Sequence, residues 1–269
     1  MEKRNETSVS AGSQKQSNDL EFWEKRSSSF ADHAGKSYYP NEFLKLMNLA
    51  PDLTVLDIGC GGGALAVPLA ARVKKVTAVD FSPGMIAIVE NICREQNITN
   101  IETILGEWDS DWAALGIGKY DIAISSRSLR AENSAPYIQK LINAARRQVF
   151  ISAPEGNGPL DTKLLEFAGR DTTPKSDYRR LMDVLQGMGI RAGLSFIEEN
   201  HVDRWRTPDE AAENQKWMFF GTTSEEDEKI RLYFERNLIH KDGMFQLSYG
   251  RTCRWAVMWW DVCCPLERT

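Results

Sequence analysis

The chain has 269 residues and a formal net charge of −5, with 42% apolar and 26% charged positions. That length suits one large α/β domain with an elaboration, or two small domains, and the composition excludes collagen-like, mucin-like and wholly disordered chains. No apolar run approaches the ~20 residues of a bilayer span, and the negative balance disfavours general nucleic-acid binding.

The first eighteen residues are polar and charged with no apolar run. They read as a disordered polar N-terminus over 1–18, neither signal peptide nor anchor, on a cytoplasmic protein with no membrane partner. Residues 19–50 are expected to form cap helices ahead of a Rossmann-like core at 51–198 and 242–264. The five cysteines, Cys60, Cys93, Cys253, Cys263 and Cys264, include no CxxC pair and no histidine at ligand spacing. They predict small buried side chains, with no metal and no disulfide framework.

From Leu53 short apolar runs alternate with helical patterns, as in a parallel sheet built from βαβ units. Strands are expected at Thr54–Ile58, Lys75–Val79, Ile101–Leu105, Tyr120–Ser125 and Gln148–Ser152. Pro68, inside a helix over Ala64–Arg72, predicts a slight kink. The clearest helix opens with Ser82 as N-cap and Pro83 at its first position, with Met85, Ile86, Ile88, Val89, Ile92 and Cys93 on one face. Another helix is expected from Asp177 to about Gly187, and a strand from Arg191 to Glu198.

Residues 199–241 read as a two-helix insertion. Thr207 with Glu210, and Thr223 with Glu226, have the capping-box spacing. Beyond it, alternation in Phe245, Leu247 and Tyr249, and then Trp255 to Trp260, predicts the final strand region. The expected fold class is therefore α/β, a doubly wound and mostly parallel sheet with helices on both faces.

The informative segment is Val55-Leu56-Asp57-Ile58-Gly59-Cys60-Gly61-Gly62-Gly63, a buried strand entering a glycine turn. Glycines there permit positive φ and let a ligand approach with no Cβ in the way. Gly59-x-Gly61-x-x-Ala64, with Asp80 at the end of the next strand, also satisfies a dinucleotide fingerprint. Asp80 thus indicates a ribose but not which nucleoside. Asp57 separates the alternatives: beside a pyrophosphate it is repelled, whereas beside ammonium and sulfonium groups it is favoured.

Asp57-x-Gly59-x-Gly61-x-Gly63 resembles the first motif of the class I S-adenosylmethionine (SAM) dependent methyltransferases, and Val79-Asp80-Phe81-Ser82-Pro83-Gly84-Met85 resembles their second. The resemblance covers about Leu53 to Pro154 and implies a seven-stranded sheet whose last strand is antiparallel. It implies that Asp57, Gly59 and Gly61 line the methionine part of SAM, Asp80 holds the ribose, and Phe81 with Met85 flanks the adenine. Glu107 would reach the adenine amino group, Trp108 would offer its N–H, and Ser125 would offer backbone to the methionine end. The product would be S-adenosylhomocysteine (SAH).

Methyl transfer from a sulfonium needs a nucleophile in line and water excluded, so no single catalytic side chain is obligatory. His33, Tyr38, Tyr39 and Arg127 are candidate bases or substrate contacts, with a structural histidine and an internal salt bridge as the plain alternatives for His33 and Arg127. Ser125-Ser126-Arg127-Ser128 is not the Asn/Asp-Pro-Pro-aromatic turn of amino-methylating nucleic-acid enzymes, and no Pro-Cys follows the strand, so DNA is not an expected partner. Trp205, Trp217, Met218, Phe219 and Phe220 read either as a lid over a small-molecule acceptor, or as a satellite core or homodimer contact. The leading expectation is a small-molecule methyltransferase. A protein or RNA methyltransferase and a non-catalytic SAM-binding partner are the alternatives.

Overall fold

The computed structural model describes residues 37–129, 131–174 and 178–262. His33, Asp177, Cys263, Cys264 and the segment 1–18 lie outside the described residues. Among the described residues no helix is long and apolar enough to cross a membrane.

Helix α1 (Tyr39–Lys45) precedes β1 (Thr54–Ile58), α2 (Ala66–Ala70), β2 (Lys75–Asp80), α3 (Pro83–Glu95), β3 (Ile101–Leu105) and β4 (Tyr120–Ser126). Then follow α4 (Ala135–Ala144), β5 (Ala145–Pro154), α5 (Thr162–Ala168), α6 (Tyr178–Gly187) and β6 (Gly193–His201). The main sheet has the order β3-β2-β1-β4-β5-β9-β6, where β9 is Arg251–Asp261. Strand β9 runs antiparallel to both β5 and β6, and the pairs from β3 to β5 are parallel.

The continuous apolar runs of the central strands arise because both faces of the sheet are buried. Val55, Ile122, Ile124 and Phe150 face a core with α1, α2 and α3, while Leu56, Ala123, Val149 and Ile151 face a second core with α4 and α6. Ser82 caps α3 as its spacing predicts, its hydroxyl accepting from the Met85 N–H at 3.1 Å. Pro68 does not kink a long helix. Helix α2 starts only at Ala66, so Pro68 falls in the first turn, where its missing N–H breaks no intrahelical bond. Helices α4 and α5 were not anticipated from the sequence, although Pro136 at the start of α4 and Asp161 as the N-cap of α5 mark them.

Between β6 and β9 the chain forms α7 (Pro208–Gln215), a 3₁₀ turn (Lys216–Phe219), α8 (Ser224–Asn237) and a hairpin of β7 (Leu238–Lys241) with β8 (Met244–Leu247). The Phe245 and Leu247 alternation thus belongs to this separate two-stranded sheet, and the core strand begins only at Arg251. Asp242 and Gly243 both have positive φ at the hairpin turn, the conformation that an Asp-Gly pair favours. Thr223 and Glu226 form the full capping box of α8. Glu210 instead turns one residue upstream and accepts from the Arg206 N–H at 2.7 Å.

The insertion packs on α5 to form a third apolar core. Trp205, Met218 and Phe219 are buried there beside Ile230, Tyr233 and Phe234. These side chains are buried in a core of their own. Phe220 alone of that aromatic run is strongly exposed, at 63%.

Candidate functional site

The chain winds outward from β1 to β3 and then returns to place β4 on the other side of β1. That reversal opens a crevice at the carboxyl ends of β1 and β4, the place where open α/β sheets take ligands. The glycine turn leaves β1 there. Gly59 and Cys60 donate to the Val79 carbonyl at 2.8 and 3.0 Å, which ties the turn to the end of β2. Gly59 has φ +71°, and a Cβ added to it would lie 2.4 Å from the Ser128 Cβ. Gly61, at φ +53°, would meet nothing within 4 Å, so its missing side chain leaves open space on the crevice side.

Two carboxylates flank the turn. Asp80, at the end of β2, accepts from the Gly61 N–H at 2.9 Å and from the Ser82 N–H at 3.0 Å. It therefore shapes the turn first. Asp57 is 2% exposed and accepts no hydrogen bond from any described residue. Burial, reinforced by the Asp80 charge, raises its carboxyl to a pKa of about 7. A buried carboxylate without partners is costly unless a cation compensates it. The same burial and the two Asp charges push the Cys60 thiol well above its ordinary value, which keeps it an unreactive neutral group.

Of the other expected positions, Phe81 is partly exposed beside Asp80, whereas Met85 is buried. Glu107 is exposed on the loop after β3. Its N–H donates to the Ser110 hydroxyl at 3.1 Å, and its carbonyl accepts from the Trp112 indole at 3.3 Å. Trp108 packs on Trp112 and Tyr137 with ring centroids 5.8 and 5.3 Å away. Lys140 donates to the Trp108 carbonyl at 2.6 Å, so this loop is pinned from below by α4. Ser125 is fully buried with its hydroxyl 2.8 Å from that of Ser128, which in turn donates to the Ile58 carbonyl at 3.0 Å.

Beyond β4 lies a polar cluster that local sequence reasoning did not assemble. Tyr39 is completely buried, and its hydroxyl is 2.8 Å from that of Ser126 and 2.7 Å from that of Ser152. Arg127 has φ +59° and sets its guanidinium 4.0 Å above the Tyr39 ring and 5.1 Å from the Trp255 ring. Glu199 on β6 lies 3.6 Å from it, while its own oxygens accept from Ser37 at 2.5 Å and from the Trp255 indole at 2.9 Å. The sole local hint was an acidic residue in phase with buried Ile197 along β6. Tyr38 is 46% exposed and takes no part in this network. Among the described residues no group of three or more His, Cys, Asp or Glu could hold a metal ion.

A methyltransferase-domain family model matches residues 55–149. An uncharacterised protein of Haemophilus influenzae is 28% identical over 243 residues, 89% of this chain and 88% of that protein. The ubiquinone biosynthesis O-methyltransferase of Rickettsia conorii is 34% identical over 104 residues, 38% of this chain and 34% of that protein. The 23S rRNA methyltransferase RlmD of Edwardsiella ictaluri is 30% identical over 114 residues, 40% of this chain and 25% of that protein. The chain thus spans only about a third or a quarter of these two relatives of named activity. Among solved structures, the YcgJ protein of Bacillus subtilis shares the fold at TM-score 0.53 and 14% identity, covering 82% of this chain and 97% of that one. A methyltransferase domain thus spans β1 into β5 of this seven-stranded sheet, and over that segment the chain is similar to SAM-dependent methyltransferases.

Proposed function

We propose that this methyltransferase acts on a small molecule, with the donor lying across the glycine turn and the acceptor over the ends of β4 and β5. The observation that carries the donor half is Asp57, a largely buried carboxylate that accepts no hydrogen bond from a described residue, beside a turn that keeps open space at Gly61. Such a carboxylate suits a ligand bearing ammonium and sulfonium groups and repels a pyrophosphate.

In this reading Asp57, Gly59 and Gly61 line the methionine end, together with the Ser125 backbone. Asp80, at the end of β2, accepts from the ribose hydroxyls. Phe81 flanks the adenine, buried Met85 supports it from beneath, and the Glu107-Trp108 loop meets its polar edge. The bound donor supplies a methyl group already activated on sulfur. The chain's own contribution is orientation and the exclusion of water, which can be worth about 7–11 kcal/mol in a two-centre reaction. Tyr39 is enclosed among serine hydroxyls, and its phenol is raised in pKa by burial, so it serves as a positioning group and not as a base.

A small acceptor is supported by the negative net charge and by the Ser125-Ser126-Arg127-Ser128 sequence at the end of β4. Ubiquinone biosynthesis, in the name of one relative, points the same way, whereas the rRNA named in another favours a nucleic-acid acceptor. Calorimetry with SAM, SAH, NAD and NADP tests the donor assignment. Binding of SAM and SAH alone is expected, and binding of NAD in their place would overturn it. SAM turnover on small-molecule and rRNA panels separates the acceptor classes. Methylation confined to rRNA would overturn the small-molecule reading.

A further inference from the structure

The acceptor side of the crevice carries a cation with an unusual set of neighbours. Arg127 is the first residue after β4, and its neighbour Ser128 abuts Gly59, so it borders the donor turn directly. A non-glycine residue at φ +59° is uncommon and persists where the surroundings hold it, often at a functional site. Here the Arg127 N–H donates to both the carbonyl and the hydroxyl of Ser152, each at 3.1 Å, which fixes that backbone to β5.

The guanidinium is held over aromatic rings and makes no short ion pair. It lies over the Tyr39 and Trp255 rings, contacts with π faces that use no N–H acceptor. Glu199 approaches only to 3.6 Å and is already satisfied by Ser37 and Trp255, so the ion pair is long and not bidentate. No described residue accepts a hydrogen bond from the guanidinium. Its side chain is 30% exposed, and none of its nitrogens is buried without a partner, so the unused donors reach solvent. A guanidinium employed only to close an internal salt bridge would show the opposite pattern, with short paired contacts.

We propose that Arg127 recognises an anionic group, a carboxylate or a phosphate, on the methyl acceptor, which makes the substrate class a small anionic molecule. This deepens the small-molecule reading above and rests on it. The planar donor edge matches the two oxygens of either anion, and the rings below it supply an apolar floor. Buried Glu199 tempers the positive charge in the absence of ligand and orients the guanidinium without occupying its edge.

The test uses the full chain saturated with SAH and three probes of one size: benzoate, phenyl phosphate and the neutral benzamide. Dissociation constants are measured for the wild type, R127Q and E199Q. At least one anion is expected to bind tenfold or more tightly than benzamide, and the stronger of the two identifies carboxylate or phosphate as the recognised group. R127Q should reduce that anion to the level of benzamide. E199Q removes the one carboxylate among the described residues that pairs with Arg127 and keeps the rings beneath the guanidinium, so anion binding should strengthen several-fold. Equal binding of all three probes to the wild type, or a preference that survives R127Q, would overturn the proposal. If R127Q does not fold, E199Q decides alone, and unchanged anion affinity there counts against it. Failure to bind SAH would overturn the donor assignment itself, whereas SAH binding without anion discrimination overturns only the role of Arg127.

Discussion

The two sides of the crevice are built in different ways. The side proposed to hold the donor, from β1 to β3, is made of residues that follow one another along the chain: a strand, a glycine turn, and a carboxylate that accepts from Gly61 and Ser82. The acceptor side is assembled across the whole chain. Tyr39 bonds to Ser152, Arg127 stacks on Trp255, and Glu199 bonds to Ser37. In the proposed reading the first half presents a fixed shape to the donor through its backbone, while the second presents side chains to the acceptor, which can vary without disturbing the turn. A third unit, the satellite core under the insertion, touches neither function directly through its buried aromatics.

The sharpest way to break this separation is to damage one unit and read another. Phe234→Ala removes a fully buried ring from the satellite core, packed edge-on against Trp205 at 5.6 Å. It should cost about 3–5 kcal/mol in urea unfolding, with SAH affinity unchanged wherever the protein remains folded. A parallel loss of SAH affinity would join the units that the packing separates.

A substitution on the donor side should behave in the reverse manner. Gly59→Ala forces a Cβ to within 2.4 Å of Ser128 and into a left-handed backbone. Unfolding should be easier by about 2–4 kcal/mol, from overpacking plus backbone strain, and SAM binding should be lost in calorimetry even at temperatures where the variant is folded. Retained binding would show that the turn tolerates a rearrangement around Ser128. The smallest effect belongs to the insertion's surface. Thr223→Ala removes one half of the α8 capping box and should cost about 1 kcal/mol in thermal or urea unfolding. Neither SAM nor anion binding should change.

The same division explains what could be read from the sequence. The glycine turn and its flanking carboxylates were legible because Asp57, Gly59, Gly61 and Asp80 sit in two short motifs, and Ser82 with Pro83 announces the following helix. The central strands were legible because burial on both faces makes them continuously apolar. Glu199, Trp255 and Ser152 escaped notice because nothing local ties them to Arg127, and only the sheet order brings β6, β9 and β5 beside β4. The aromatic run near Trp217 could be read as lid or satellite core, since apolar spacing states that a face is buried but not against what. The β7–β8 hairpin had a clear local signal in Asp242-Gly243, obscured by treating the next alternation as part of the main sheet.

The central claim is electrostatic and concerns Asp57. Its carboxyl is raised to about 7 by burial and by Asp80, above the ~3.9 of an unfolded chain. The stability it contributes to the ligand-free fold is therefore present below about pH 4 and is lost as pH rises through about 7. A cationic donor favours the ionised form, so SAM must displace the proton when it binds at low pH. The deciding measurement is SAM affinity by calorimetry from pH 5.5 to 8.5, for the wild type and Asp57→Asn. The account predicts affinity falling toward about tenfold per pH unit below about 7 in the wild type, with that slope abolished in the variant and binding weaker at high pH. A flat wild-type profile, or the same slope in Asp57→Asn, would contradict it.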